Sequence, residues 1–187
     1  MKIVNLSEQN SVLQNFVREI RDVTIQNDSL RFRRNIERIG EVVAYEISKT
    51  LSYKEKKIKT PLAEMTVPVL ADKVVLATIL RAGLAYHHGF LSYFDHAENA
   101  FVSAYRKYRE SHQNFTVNIE YIASPKLDNK VLILTDPMLA TGGSMELSYE
   151  ALLTKGNPKE IHIATIIASQ DAVNYCQKVF PEAKTTL

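Results

Sequence analysis

The run Val131-Leu132-Ile133-Leu134-Thr135-Asp136-Pro137-Met138-Leu139-Ala140-Thr141-Gly142-Gly143-Ser144 holds the residues whose types and spacing best suit chemistry. Four apolar residues without polar alternation predict a buried strand of a parallel sheet covered on both faces. Its carboxyl end would present the loop, and the amphipathic run Met145 to Leu153 predicts a helix directly after it. Unpaired N–H groups at that helix start would face whatever enters the loop, and an anion suits them best. Gly142 and Gly143 allow close backbone approach and positive φ, while Thr141 and Ser144 add hydroxyl donors. Asp136 would repel a phosphate and instead suits neutral hydroxyls such as those of a ribose, or a cation. The run therefore reads as a sugar-phosphate site. No G-K-[ST] follows and the glycines lack G-x-G-x-x-G spacing, which excludes a P-loop and a dinucleotide fingerprint. A plain strand, turn and helix cap is the bland alternative.

Arg81 follows a second apolar strand, Val74 to Leu80, and precedes Ala82 and Gly83. A guanidinium at a strand end beside a residue that permits tight turns can grip a diphosphate through paired hydrogen bonds; the alternative is a surface cation. Arg106, after Tyr105 and beside Lys107 and Arg109, ends a third predicted strand, with a solvated basic loop as its alternative. Tyr105 and Tyr108 read as packing residues rather than a base-stacking platform. His87 and His88 are adjacent on a predicted helix, about 100° apart, and no nearby acid completes a ligand set. The lone Cys176 excludes an internal disulfide.

The nine residues Asp136 to Ser144, D-P-M-L-A-T-G-G-S, resemble the loop that binds 5-phosphoribosyl pyrophosphate (PRPP) in the uracil phosphoribosyltransferase family. Arg31-Phe32-Arg33, Thr60-Pro61-Leu62, Ile79-Leu80-Arg81-Ala82-Gly83-Leu84 and Tyr105-Arg106 resemble further landmarks of that family, in the same order, and the similarity runs to about residue 170. Many type I phosphoribosyltransferases carry two adjacent acids at the loop head. The uracil branch has Asp-Pro there, as Asp136-Pro137 does here. The resemblance implies a type I phosphoribosyltransferase fold, with a mostly parallel sheet flanked by helices, N-terminal helices and a hairpin or hood region. It implies transfer of 5-phosphoribosyl from PRPP to N1 of uracil, giving uridine monophosphate (UMP) and pyrophosphate in pyrimidine salvage. Arg81, Arg106 and Asp136 would be catalytic, and they would bind PRPP together with Pro137, Met138, Leu139, Ala140, Thr141, Gly142, Gly143 and Ser144. Mg²⁺ would arrive bound to PRPP, and no protein metal site is expected. The family also implies a homodimer or higher homo-oligomer. Its members continue into a P-G-L-G-D-A-G-D-like segment whose backbone reads the pyrimidine. None of the 187 residues matches that segment, so these residues by themselves are expected to hold PRPP but make little UMP.

The elements that must position these groups are legible in outline. Helical spacing marks residues 10 to 22 and Ser29 to Leu51, with Lys54 to Lys59 as a basic connector. Residues 58 to 69, interrupted by Pro61 and Pro68, predict a hairpin or paired edge segments. There follow strand Val74 to Leu80, helix Gly83 to Phe94, strands Ala100 to Tyr105, Thr116 to Ile122 and Val131 to Thr135, a helix, strand Ile161 to Ala168, and helix Asp171 to Phe180. Alternation of this kind predicts one α/β domain over 1–187 with ligands beyond the strands' carboxyl ends. With 45% hydrophobic and 24% charged residues and a net charge of +2, nothing pushes the chain towards nucleic acid or a membrane surface. The start lacks a signal-peptide core and no apolar stretch reaches about 18 residues, so a cytoplasmic protein is expected. Two other classes stay in view: a PRPP-sensing, RNA-binding pyrimidine regulator, and a non-catalytic PRPP-binding module.

Overall fold

The computed structural model describes the backbone of residues 1–108 and 115–186, and the side chains of 1–103 and 119–183. A seven-stranded sheet forms the centre. Its strands are β1 (Lys2–Val4), β4 (Val74–Leu80), β5 (Glu98–Tyr108), β6 (Phe115–Ala123), β7 (Val131–Thr135), β9 (Glu160–Ala164) and β11 (Lys184–Thr186), in the order β1-β11-β9-β7-β4-β5-β6. Neighbours are parallel except β6, which runs antiparallel to β5 at one edge. Two short strands, β8 (Met138–Leu139) and β10 (Ile167–Ala168), pair beyond the sheet, and β2 (Tyr53–Lys59) with β3 (Glu64–Leu70) makes a separate hairpin.

The helices are α1 (Leu13–Arg21), α2 (Ser29–Ser48), α3 (Leu84–Leu91), α4 (Gly143–Leu153) and α5 (Gln170–Val179). Period-two alternation divides the central strands between two cores. Val75, Ala77, Ile79, Leu132 and Leu134 face one side with Met145, Leu152 and Cys176 of α4 and α5. Val74, Leu76, Val131 and Ile133 face the other, against Ile39, Val43, Tyr86 and Phe90 of α2 and α3. Burial on both faces explains why these strands read as unbroken apolar runs. In α2 the buried positions Ile36, Ile39, Gly40, Val43, Ala44 and Ile47 follow the helical repeat. Asp28 caps that helix by accepting hydrogen bonds from the N–H groups of Leu30 (3.1 Å) and Arg31 (3.0 Å). Arg31 and Asn35 also donate to Glu19 of α1, and the Arg31 guanidinium holds the Glu19 carboxyl down to about 2. Among the described residues no helix is long and apolar enough to cross a membrane.

The α/β class and the element order agree with the sequence reading, with local corrections. The Lys54 to Lys59 segment is not a connector but lies in β2, paired residue for residue with β3. Its side chains are almost all exposed, so neither face carries the apolar alternation that would have marked a strand. The strand expected over Ile161 to Ala168 stops at Ala164. There the N–H groups of Ile166 (3.2 Å) and Ile167 (3.1 Å) both donate to Pro137 O, turning the chain out of the sheet and into β10. The long helix ends at Ser48 rather than Leu51, and the third runs over Leu84–Leu91 rather than to Phe94.

Candidate functional site

The loop after β7 is fixed mainly through its backbone over residues 136 to 140. Asp136 N donates to Ala164 O (3.1 Å), and Asp136 Oδ1 accepts from Met138 N (3.3 Å). β8 pairs with β10, and Ser169 N donates to Leu139 O (3.0 Å) while Ser169 Oγ donates to Ala140 O (2.7 Å). Leu139 turns its side chain into the core, Met138 is exposed, and the exposed Ala140 and Thr141 form the rim. Gly142 then adopts the left-handed conformation (φ +85°, ψ −19°) and caps α4. A Cβ there would lie 2.6 Å from Tyr175 Cδ1 as well as in a strained φ, so only glycine fits. At Gly143 the opposite holds, because a Cβ would meet nothing nearer than Thr141 Oγ1 at 4.0 Å. The missing side chain leaves open space in front of the helix start.

A cavity of about 90 Å³ lies in this loop, lined by Asp136, residues 138 to 142, Ser144 and Met145. The first helical bond of α4 runs from Glu146 N to Gly142 O (3.0 Å). Among the described residues, no hydrogen bond engages the N–H groups of Thr141, Gly142, Gly143 or Ser144. These donors and the positive end of the helix dipole suit a small anion such as a phosphate monoester. Of the nine loop residues read from the sequence, Pro137 and Gly143 lie off the cavity lining; Pro137 instead supplies the carbonyl that turns the β9–β10 segment.

On the adjacent strand, β4 ends at the turn 81–83. The Leu80–Arg81 peptide is cis. A Cβ at Gly83 would lie 2.3 Å from Thr78 Oγ1 and 2.7 Å from Ile79 O, so this turn folds back tightly onto its own strand. Thr135 Oγ1 donates to Ala77 O (3.1 Å) and lies 2.8 Å from Thr78 Oγ1, from which it can accept, linking the ends of β4 and β7 beneath both loops. Arg81 is exposed. Among the described residues its guanidinium has no hydrogen bond or ion pair, and it does not line the 90 Å³ cavity. Arg106 lies in β5, its backbone paired with Val117, at the same end of the sheet. Its side chain, those of Tyr105, Lys107 and Tyr108, and the whole of Arg109 lie outside the described residues.

His87 and His88 part company. His87 is buried, its Nε2 is 2.7 Å from Asn99 Oδ1, its ring lies 5.0 Å from that of Phe101, and desolvation lowers its pKa. His88 is exposed. Among the described residues no group of three His, Cys, Asp or Glu could hold a metal. Cys176 is fully buried in the α4–α5 core, and burial pushes its thiol up to about 11.

Three side chains that shape the site had no part in the phosphate-loop reading of the sequence: Thr78, Ser169 and Tyr175. Ser169 carried a usable signal, since a serine two residues before an acid fits a helix cap, and its Oγ accepts from Ala172 N (3.0 Å). Thr78 and Tyr175 carried none, because their partners Thr135 and Glu146 are 57 and 29 residues away.

Comparison with known proteins bears directly on this geometry. A family model for uracil phosphoribosyltransferase matches residues 7–187. The chain is 64% identical over 185 residues to the uracil phosphoribosyltransferase of Porphyromonas gingivalis, covering 99% of this chain and 85% of that one. It is 38% identical over 145 residues to the uracil phosphoribosyltransferase of Methanothermobacter thermautotrophicus, covering 76% of this chain and 66% of the relative. Among solved structures, a protein of Aquifex aeolicus superposes with a TM-score of 0.85 at 26% identity, covering 98% of this chain and 85% of that one. A hypoxanthine phosphoribosyltransferase from Staphylococcus aureus, at 15% identity and a TM-score of 0.53, shares the fold over 75% of this chain and 66% of its own.

Proposed function

The chain belongs to the uracil phosphoribosyltransferase family, and from that membership and the cradle after β7 we propose that it transfers the 5-phosphoribosyl group of PRPP to N1 of uracil, giving UMP and pyrophosphate. The observation that carries the proposal is the left-handed Gly142 cap with its unengaged N–H groups around the 90 Å³ cavity. In this reading the backbone of 140 to 144, with the Thr141 and Ser144 hydroxyls, anchors the 5-phosphate, and Asp136 accepts from the ribose hydroxyls. The anomeric carbon is then held in line for attack.

No covalent nucleophile is required. As the anomeric bond breaks, its electron pair leaves with pyrophosphate, so positive charge grows on the sugar and negative charge on the leaving group. Arg81, and Arg106 from β5, would stabilise that departing charge. Asp136 is the one carboxylate lining the cavity among the described residues, which fits Mg²⁺ carried in on the diphosphate rather than held by a protein cage. When bound, the ion neutralises charge on the leaving group.

Two further parts belong to the same reading: a cytoplasmic setting without a nucleic-acid partner, and a homodimer or larger homo-oligomer. The β2–β3 hairpin supports the latter, because both its faces are largely exposed and an isolated two-stranded hairpin is marginal in water. Uracil-dependent release of pyrophosphate from PRPP with Mg²⁺, and UMP as its product, tests the activity. Absence of uracil-dependent release from folded protein that binds PRPP, both from these residues and from them joined to a family-type pyrimidine-reading segment, would refute base transfer while leaving PRPP recognition standing.

A further inference from the structure

Beside the cradle but outside its cavity lining, α5 presses Tyr175 against the start of α4. The ring edge sits so close to Gly142 that no Cβ could intervene. The phenol hydroxyl donates to Glu146 Oε2 at 2.5 Å, a short charge-assisted hydrogen bond. Glu146 is the acid in the first turn of α4. A carboxylate there stabilises an empty helix N-terminus but opposes an anion at the same place, since both compete for one positive dipole end. A family phosphate site with an acid in its first turn therefore needs that acid held aside.

We propose that Tyr175 is a positioning residue for PRPP: its hydroxyl holds the Glu146 carboxylate toward α5 while its ring backs the left-handed turn at Gly142. This rests on the PRPP-transfer reading above. The hydrogen bond to Glu146 also raises the phenol's pKa above its ordinary alkaline value, which keeps the hydroxyl a donor. Neither residue lies among the sequence-read site residues, and Tyr175 acts only through the helix start it supports.

Tyr175→Phe keeps the ring against Gly142 and removes only the hold on the carboxylate. Calorimetry with PRPP and Mg²⁺ should show affinity about two- to fivefold weaker, the range for one screened charge near a helix end. KM for PRPP should rise in parallel, with kcat unchanged. The loss should shrink as ionic strength rises. Glu146→Gln alone should bind PRPP at least as tightly as the parent, and adding Tyr175→Phe to it should cost nothing further. Equal affinity in parent and Tyr175→Phe would overturn the proposal and leave the transfer reading intact. A loss that persists in full with Glu146→Gln, or at high salt, would assign Tyr175 to packing and overturn it as well. If the parent itself binds no PRPP, the transfer reading fails and the inference fails with it.

Discussion

The two loops at the ends of β7 and β4 are neighbours in the sheet and are built on opposite plans. After β7, donors come from backbone already fixed by β8–β10 pairing, by Ser169 and by the Gly142 cap. After β4, the donor is one long exposed side chain, Arg81, on a tightly folded turn. Fixed backbone loses almost no entropy when an anion arrives, whereas an arginine gives up roughly 2 kcal/mol of rotamer freedom to engage. The first plan suits a group held throughout the reaction, the 5-phosphate. The second suits a group whose charge grows, because only a strong interaction offsets that ordering. The Thr135–Thr78 bridge keeps the two in register.

Breaking the fixed loop should have the largest effect. Gly142→Ala forces a side chain into positive φ and into the Tyr175 ring. The combined strain and overpacking should reach about 2–4 kcal/mol, seen as a lower Tm and a PRPP affinity reduced about a hundredfold. Gly143→Ala sharpens the point, since its Cβ would enter open space. Tm should hold while PRPP binding still weakens, and unchanged binding would show that the phosphate does not approach the open space in front of Gly143.

Arg81→Ala comes next. With its guanidinium exposed and unpartnered among the described residues, the fold should lose nothing measurable. Steady-state kinetics should show kcat lower by about 10²–10³, the usual consequence of removing a preorganised charge stabiliser. A rise in KM with kcat intact would make Arg81 a ground-state anchor and erase the contrast between the loops. Asp136→Asn should be milder, about tenfold in kcat/KM, because the amide oxygen still accepts from a hydroxyl but more weakly. An unaffected rate would make the Asp136 carboxylate structural, a local acceptor for Met138 N rather than a partner of the ribose.

The same contrast explains what could be read from the chain. β4, β7 and the Asp136 to Ser144 loop were legible because burial on both faces and a cap glycine leave contiguous, local marks. β2 left no such mark, since a solvated ladder depends on its partner strand rather than on its own pattern. Leu139 and Pro137 fell inside the motif read from the sequence, yet one points into the core and the other works through its carbonyl; a motif gives the place and not the direction of each side chain. The break at Thr165 and Ile166 was invisible because its cause, Pro137 O, lies on another strand's loop. Long-range ties of this kind were what sequence could not supply.

Ser169 offers the smallest and most discriminating test, because it joins α5 to the fixed loop without itself lining the cavity. Its Oγ caps α5 through Ala172 N and donates to Ala140 O, while its N–H, untouched by side-chain replacement, still bonds Leu139 O. Ser169→Ala therefore removes a cap worth about 1 kcal/mol, together with one tie to the rim of the cradle. Denaturant unfolding should show that loss with an unchanged m-value. If the cradle depends on being prefixed, PRPP affinity should also fall, by a few fold, with kcat unchanged, since the tie orders ground state and transition state alike. Were stability to drop with PRPP affinity intact, the β8–β10 pairing alone would suffice to hold the loop, and the rigidity ascribed to it would reside in the backbone ladder rather than in the serine.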